Sequence, residues 1–247
     1  MKISIITVCF NSSKTIEKTF QSVQNQVYSN IEYIVLDGNS TDGTLKIIES
    51  YKEIISKYYS ENDKGLYDAM NKGIALATGD IIGILNSDDI FTDNYVLEKI
   101  AKFHLKNSID ASIGNIIQFN ENRKIVRKYS AKNWYPEKIK VGFMPPHPSI
   151  FFKRDLFESY GNYQLDYVSG ADYELIVRFF LKNQISWKFS NITTTSMLIG
   201  GISSSGYKSY MLISKEIKKA LESNDIQFSY FKILLRVIWK LKGFLNK

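Results

Sequence analysis

The sequence predicts an α/β fold: a mostly parallel sheet flanked by helices, followed by an amphipathic C-terminal helical tail. Three observations predict it. Short, β-branched apolar runs recur at ISIITV (3–8), IEYIVLDG (31–38) and DIIGILNS (80–87). The segments between them carry apolar residues at helical spacing. Each run ends abruptly in polar residues: Cys9-Phe10-Asn11, Asp37-Gly38-Asn39-Ser40 and Asn86-Ser87-Asp88-Asp89. Strand and helix alternating in short units, with strands apolar on both faces, mark a parallel sheet covered on both sides.

The elements follow in order. ISIITV is a first buried strand rather than a cleaved leader, because no small-residue cleavage site follows it. SKTIEKTFQSVQNQ places Ile16, Phe20 and Val23 on one helical face. After the IEYIVLDG strand, TDGTLKIIESYKEII reads as a helix with Leu45, Ile48 and Ile55 inward. GLYDAMNKGIALATG is a third helix, with Gly79 as its expected C-terminal cap. Beyond about residue 106 the pattern loosens: IDASIGNIIQF and KIVRKYS read as a strand pair, PSIFFK as a strand and SGADYELIVRFFLKN as a helix.

The chain has 247 residues, 44% hydrophobic and 14% aromatic, enough for one large domain with an appendage. No window reaches the ~18 uninterrupted apolar residues of a membrane-spanning helix. A single cysteine, Cys9, excludes an internal disulfide and a cysteine-based zinc cluster, and fits a reducing cytoplasm. Cys9 itself reads as a small buried hydrophobe. Of the net charge of +7, five units sit on Lys232, Arg236, Lys240, Lys242 and Lys247, in a tail (226–247) without an acid. That distribution argues against a nucleic-acid surface and for a basic C-terminal element.

In an open parallel sheet, ligands bind beyond the carboxyl ends of the strands. The three polar tails are therefore the candidate site. Two adjacent carboxylates at the end of a buried strand repel each other unless something compensates them, and a divalent cation would. Asp also favours turns and helix caps, so a turn before TDNYVLEKIAKF explains Asp88-Asp89 equally well in isolation. A G-x-x-x-x-G-K-[ST] loop and a G-x-G-x-x-G turn are both missing, which excludes the common phosphate-binding loops.

The segments SIITVCFN, IEYIVLDGNSTDGT, DKGLYDAMNKGIALATGDIIGILNSDD and GADYELIVRF, in this order and spacing, resemble the family 2 glycosyltransferases of the Rossmann-like, A-type nucleotide-sugar-binding fold. Within the family the chain is similar to bacterial transferases that build O-antigen and other surface polysaccharides. The resemblance spans roughly residues 1–200. It implies a glycosyltransferase domain over 1–205 (a nucleotide-binding half, 1–106, and an acceptor-side half, 107–205) and a helical extension over 206–247.

The resemblance also implies roles. Asp37 matches the carboxylate that contacts the donor's base, a group suited to accept N3–H of uracil or thymine; Val8 and Phe10 would flank that base. Asp89 matches the direct ligand of Mn²⁺ or Mg²⁺, with Asp88 nearer the ribose. Lys64 and Asn71 match a segment lying against the nucleotide, and Lys72 reads as surface. Asp172 matches the catalytic base, although Ser169-Gly170-Ala171-Asp172 also reads as a capping box. His147, among prolines before a strand, is a candidate for the site and for the metal; His104 is assigned no role. Gly38, Asn86, Met70 and Ala171 depart from the family's usual residues, which bears on donor identity rather than reaction type.

The expected activity is metal-dependent, inverting transfer from a UDP- or dTDP-sugar to an acceptor hydroxyl on a lipid-linked glycan. The rivals are a nucleotidyltransferase of similar fold and a non-enzymatic nucleotide-sugar-binding protein. In the tail, Lys232, Arg236 and Lys240 form a basic helical stripe opposite Phe231, Leu234, Leu235, Ile238, Leu241 and Leu245. That pattern suits an anionic membrane surface on the cytoplasmic side, or else packing on the protein's own body or a second subunit.

Overall fold

The computed structural model describes residues 1–120, 122, 124–198 and 206–235. In chain order the first half comprises β1 (Ile3–Cys9), α1 (Ile16–Gln24), β2 (Ile31–Asp37), α2 (Thr44–Ser50), β3 (Lys57–Ser60), α3 (Leu66–Leu76), β4 (Ile81–Ile84), β5 (Ile90–Phe91) and α4 (Val96–Asn107). The second half comprises β6 (Ala111–Phe119), β7 (Ile125–Ser130), β8 (Ile150–Lys153), α5 (Asp155–Tyr160), α6 (Ala171–Ile176), β9 (Trp187–Leu198) and α7 (Gly206–Ser223).

Among the described residues the strands form one sheet, ordered β3-β2-β1-β4-β8-β6-β9-β5, with β7 paired to β6. β3, β2, β1 and β4 are parallel neighbours. β8 then runs antiparallel to both β4 and β6, and β9 runs parallel to β6. The parallel half is the one the strand–helix alternation predicts. The loosened pattern after residue 106 corresponds to the mixed half, including the expected β6–β7 pair.

Alternation along each strand feeds two cores. Ile6, Val8, Ile34, Leu36, Ile82 and Ile84 face α3 and the second half of the chain. Ile3, Ile5, Tyr33, Val35 and Ile81 face Ile16, Phe20 and Val23 of α1 and Val96, Leu97 and Ile100 of α4. Strands buried on both faces explain the nearly continuous apolar runs.

Some expectations are corrected. α2 is short and gives way to a 3₁₀ turn, Lys52–Ile54, so Ile48 is buried while Leu45 is exposed. Gly79 does not cap α3, which ends at Leu76 with Ala77 extended. Gly79 instead lets two backbones meet: a Cβ there would lie 2.6 Å from the Ser4 amide nitrogen. β3 was invisible as a strand because this edge segment is mostly exposed and lacks apolar alternation. His104 is buried, pairs with the Ser112 hydroxyl at 2.9 Å, and is pushed by burial down to about 4.

The SGADYELIVRFFLKN helix is α6, continued by a π-helical turn, Val177–Lys182. Inside it, Arg178 pairs with Glu174 (2.8 Å) and donates to the carbonyls of Tyr160, Gly161 and Asn162. A buried guanidinium with this many acceptors fixes the chain just before Tyr163.

α7 buries Ile217, Ala220 and Leu221 in the same core as α6. The chain then folds back: Ile226, Phe228 and Tyr230 pack on that core and Ile233 is fully buried. Phe231 remains exposed. The start of the tail therefore covers the protein's own body. Arg236, Ile238, Lys240, Leu241 and Leu245 of the expected stripe, with Lys242 and Lys247, lie outside the described residues. No helix among the described residues is long and apolar enough to cross a membrane.

Candidate active site

Parallel pairing brings the carboxyl ends of β1, β2 and β4 to one edge of the sheet. Short polar bonds lace the three tails together. Asn11, in the left-handed region at φ 49°, donates its amide to the Ser40 hydroxyl and accepts from the Thr41 amide. Ser12 and Ser87 share a hydroxyl–hydroxyl bond of 2.9 Å, and the Gly38 amide donates to the Cys9 carbonyl. The convergence expected from the strand order is therefore physically held.

Asp37 sits at the centre of this lacing, 2% exposed. Its carboxylate accepts the Ser40 amide (3.0 Å), the hydroxyls of Ser40 (2.5 Å) and Ser60 (2.7 Å), and the Cys9 thiol (3.5 Å). Those four donors match the lone-pair sites of a carboxylate. In this conformation Asp37 braces the three tails. Burial, then the Asp37 charge, pushes the Cys9 thiol far up, so Cys9 is an inert core residue. Val8, the last residue but one of β1, is in the core. Phe10 is the residue left open, at 63% exposure.

Sequence reading missed Asp63. A side chain at position 38 would begin 2.8 Å from the Asp63 carboxylate and 3.4 Å from the Phe10 ring. A carboxylate from the next loop thus lies beside the position where Gly38 departs from the family's acid. The departure at Gly38 was the available signal.

At the β4 tail, Asp89 is 1% exposed and Asp88 half-buried. Asp89 Oδ2 and Asn86 Oδ1 are buried without a hydrogen-bond partner. Burial, then the neighbouring Asp88 charge, holds the Asp89 carboxyl well above the usual range, and burial also raises Asp88. Neither acid caps α4, which starts at Val96 with Tyr95 as N-cap and no side-chain cap bond. An orphaned carboxylate oxygen beside a second acid is a donor set that fits a hard divalent cation. No group of three or more His, Cys, Asp or Glu side chains gathers among the described residues, so substrate oxygens and water would complete such a site.

A second cluster forms around Asp172, at the second position of α6. Its Oδ1 accepts the Tyr173 amide (2.8 Å) and the Tyr67 hydroxyl (3.4 Å). Burial raises its carboxyl, opposed by His147, the Tyr173 amide and Tyr67. The capping box does not form: Gly170 is the N-cap without a side-chain bond, and the Ser169 hydroxyl donates to Glu216. Tyr67 stacks on Tyr163 (centroids 5.6 Å apart), whose hydroxyl bonds His147 Nε2 at 2.7 Å.

His147 is thereby joined to the Asp172 cluster; burial lowers its proton affinity, and Asp172 is its charged neighbour. Asn71 holds both backbone groups of Tyr163, at 2.8 and 2.9 Å. Lys64 is exposed in the loop entering α3, and Lys72 pairs with Glu61 and Asp68 on the surface.

Comparison with known proteins decides the family. The family described as Glycosyl transferase family 2 matches residues 4–161. The chain belongs to this family. This family 2 glycosyltransferase is 32% identical, over 71% of its length and 68% of the relative's, to an uncharacterized glycosyltransferase of Mycobacterium tuberculosis. It is 26% identical, over 88% and 83%, to a PGL/p-HBAD biosynthesis glycosyltransferase of Mycobacterium bovis. S. aureus TarS 1-349, solved in complex with UDP-GlcNAc, has the same fold (TM-score 0.68, 22% identity, 87% of this chain and 66% of that one). So has the mannosyltransferase PcManGT of Pyrobaculum calidifontis, in complex with GDP-Man and Mn²⁺ (TM-score 0.66, 18% identity, 95% and 68%). The fold is the A-type nucleotide-sugar-binding one, and the enzyme is a glycosyltransferase.

Proposed function

We propose that this glycosyltransferase is metal-dependent and inverting, and moves a sugar from a UDP- or dTDP-sugar to a hydroxyl of a lipid-linked glycan in surface polysaccharide or O-antigen biosynthesis. The observation that carries the metal-nucleotide part is the buried, unpartnered Asp89 carboxylate at the strand tails, a charge that an apo fold leaves uncompensated.

In this reading Phe10 lies against the donor base and Asp63 accepts its N3–H, a hydrogen bond that uracil and thymine offer and cytosine does not. Asp88 and Asp89 hold Mn²⁺ or Mg²⁺, which would neutralise charge on the leaving diphosphate. Asp172 takes the proton from the acceptor hydroxyl as its oxygen attacks the anomeric carbon in one displacement. The Tyr67 hydroxyl and the Tyr173 amide aim the carboxylate, and burial raises its basicity.

Thermal shift against a panel of nucleotide sugars with Mn²⁺ present tests the donor. UDP- or dTDP-sugars should raise the melting temperature while CMP-sugars do not; stabilisation by GDP-sugars alone would overturn the base assignment.

The basic tail gives the enzyme a reversible hold on an anionic bilayer, where a lipid-linked acceptor resides, at ~1 kcal/mol per basic residue near the surface. Because Ile233 is buried in the core, the informative truncation starts at 236. Removing 236–247 should leave a folded enzyme that no longer co-sediments with anionic liposomes, whereas removing 226–247 should also lower the melting temperature. Liposome binding unchanged by the shorter truncation would refute a membrane role for the tail.

A further inference from the structure

Glu216, on α7, is a buried carboxylate, 7% exposed, that neither the donor site nor the base uses directly. Its hydrogen bonds all go to one loop. One oxygen accepts the Val168 amide at 2.6 Å; the other accepts the Ser169 amide at 3.1 Å and the Ser169 hydroxyl at 3.2 Å. One turn further along α7, the Lys219 ammonium donates to the Asp166 carbonyl (2.8 Å) and carboxylate (2.6 Å) and lies 4.3 Å from the Tyr167 ring centre. Two adjacent turns of α7 therefore grip residues 166–169. The next residue, Gly170, is the N-cap of α6, and Asp172 is two residues beyond it.

The loop gains limited support from its own burial. Tyr167 is buried, but Val168 is 72% and Leu165 49% exposed. Glu216 crowds Gly170: a Cβ there would lie 3.0 Å from both the Glu216 Cβ and its Oε2, so one of the two must shift. Burying a carboxylate is costly, and a packed apolar side chain would hold α7 on the core at lower cost. What a carboxylate does here, and an apolar side chain does not, is accept two successive backbone amides at once. It thereby fixes the direction in which the chain enters α6.

We propose that Glu216 is a positioning residue for the reaction: through the Val168 and Ser169 amides it sets the start of α6, and so the aim of the Asp172 carboxylate at the acceptor hydroxyl. The proposal rests on the reading of Asp172 as the base. Misplacing a reacting group by about 1 Å can cost ~10²-fold in rate, so the device acts on turnover rather than on donor affinity. Glu216 lies outside the residues matched by the family, 4–161, and belongs to this chain's own C-terminal helix.

The test uses the full chain with Glu216→Gln, Glu216→Asp and Gly170→Ala, alongside Asp172→Asn. The probes are UDP with Mn²⁺ for the donor site and the UDP- or dTDP-sugar that stabilises the unaltered enzyme for turnover. Glu216→Gln presents an amide NH₂ to one of the two N–H donors. It should lower kcat ~10- to 100-fold while UDP affinity stays within about twofold. Gly170→Ala should act in the same direction from the other side of the contact, and Glu216→Asp should recover part of the loss. Combined with Asp172→Asn, Glu216→Gln should add no further loss, because both act on one group. Full turnover per folded molecule in both Glu216→Gln and Gly170→Ala, with Asp172→Asn inactive, would overturn the proposal and leave the base in place. Equal losses of kcat and UDP affinity would overturn it as well, by showing general loosening. If Asp172→Asn itself turns over normally, the base assignment fails, and that outcome is separate from the other two.

Discussion

Asp172→Asn should fold, bind UDP as the unaltered enzyme does, and transfer sugar ~10²- to 10⁴-fold more slowly, the usual loss when a general base is removed. The stability half of this expectation follows from the site. Burial raises the Asp172 carboxyl, so the folded chain binds that proton more tightly than the unfolded chain does. For such a group stability falls as pH rises above the unfolded value, and the charged form opposes folding at neutral pH. A neutral amide of the same shape retains an oxygen for the Tyr173 amide and removes that opposition. The melting temperature of Asp172→Asn should therefore equal or exceed that of the unaltered enzyme at neutral pH. Calorimetry, UDP titration and a rate assay together check it. A variant that melts early yet turns over normally per folded molecule would show Asp172 to be structural.

The second large effect is expected at Asp89. Asp89→Asn should reduce turnover at least ~100-fold, because the charge that would hold the cation against the diphosphate is gone. Folding should not suffer, since Asp89 Oδ2 has no partner to lose and its burial is already unfavourable to the charge. Mn²⁺ should strengthen UDP binding to the unaltered enzyme and leave the variant's binding unchanged. If EDTA leaves the unaltered enzyme's rate intact, metal dependence is wrong.

How far the sequence disclosed this arrangement depended on whether a property was local. The parallel half was legible because β1, β2 and β4 are buried on both faces and say so in their own composition. Asp88-Asp89 stood out because two like charges end an apolar strand. What stayed hidden depended on partners far along the chain. Nothing within GLYDAMNKG reveals that Tyr67 bonds a carboxylate 105 positions away, or that Asn71 is spent on the backbone of Tyr163. Nothing in the tail after β2 reveals that Ser60, 23 positions on, bonds the Asp37 carboxylate. The S-x-x-D pattern before α6 suggested a cap until Glu216, 47 positions from Ser169, took the hydroxyl. Where a residue's role is set by a long-range hydrogen bond, neighbouring sequence carries no trace of it.

Transfer by one base-assisted displacement has a stereochemical consequence that one measurement reads. Proton NMR of the first sugar released, recorded before the anomers equilibrate, should show the anomeric configuration inverted relative to the nucleotide sugar when water or an acceptor hydroxyl is the attacking group. Asp172→Asn should release almost none. Retained configuration in the first product would require an enzyme nucleophile, and would contradict the role assigned to Asp172.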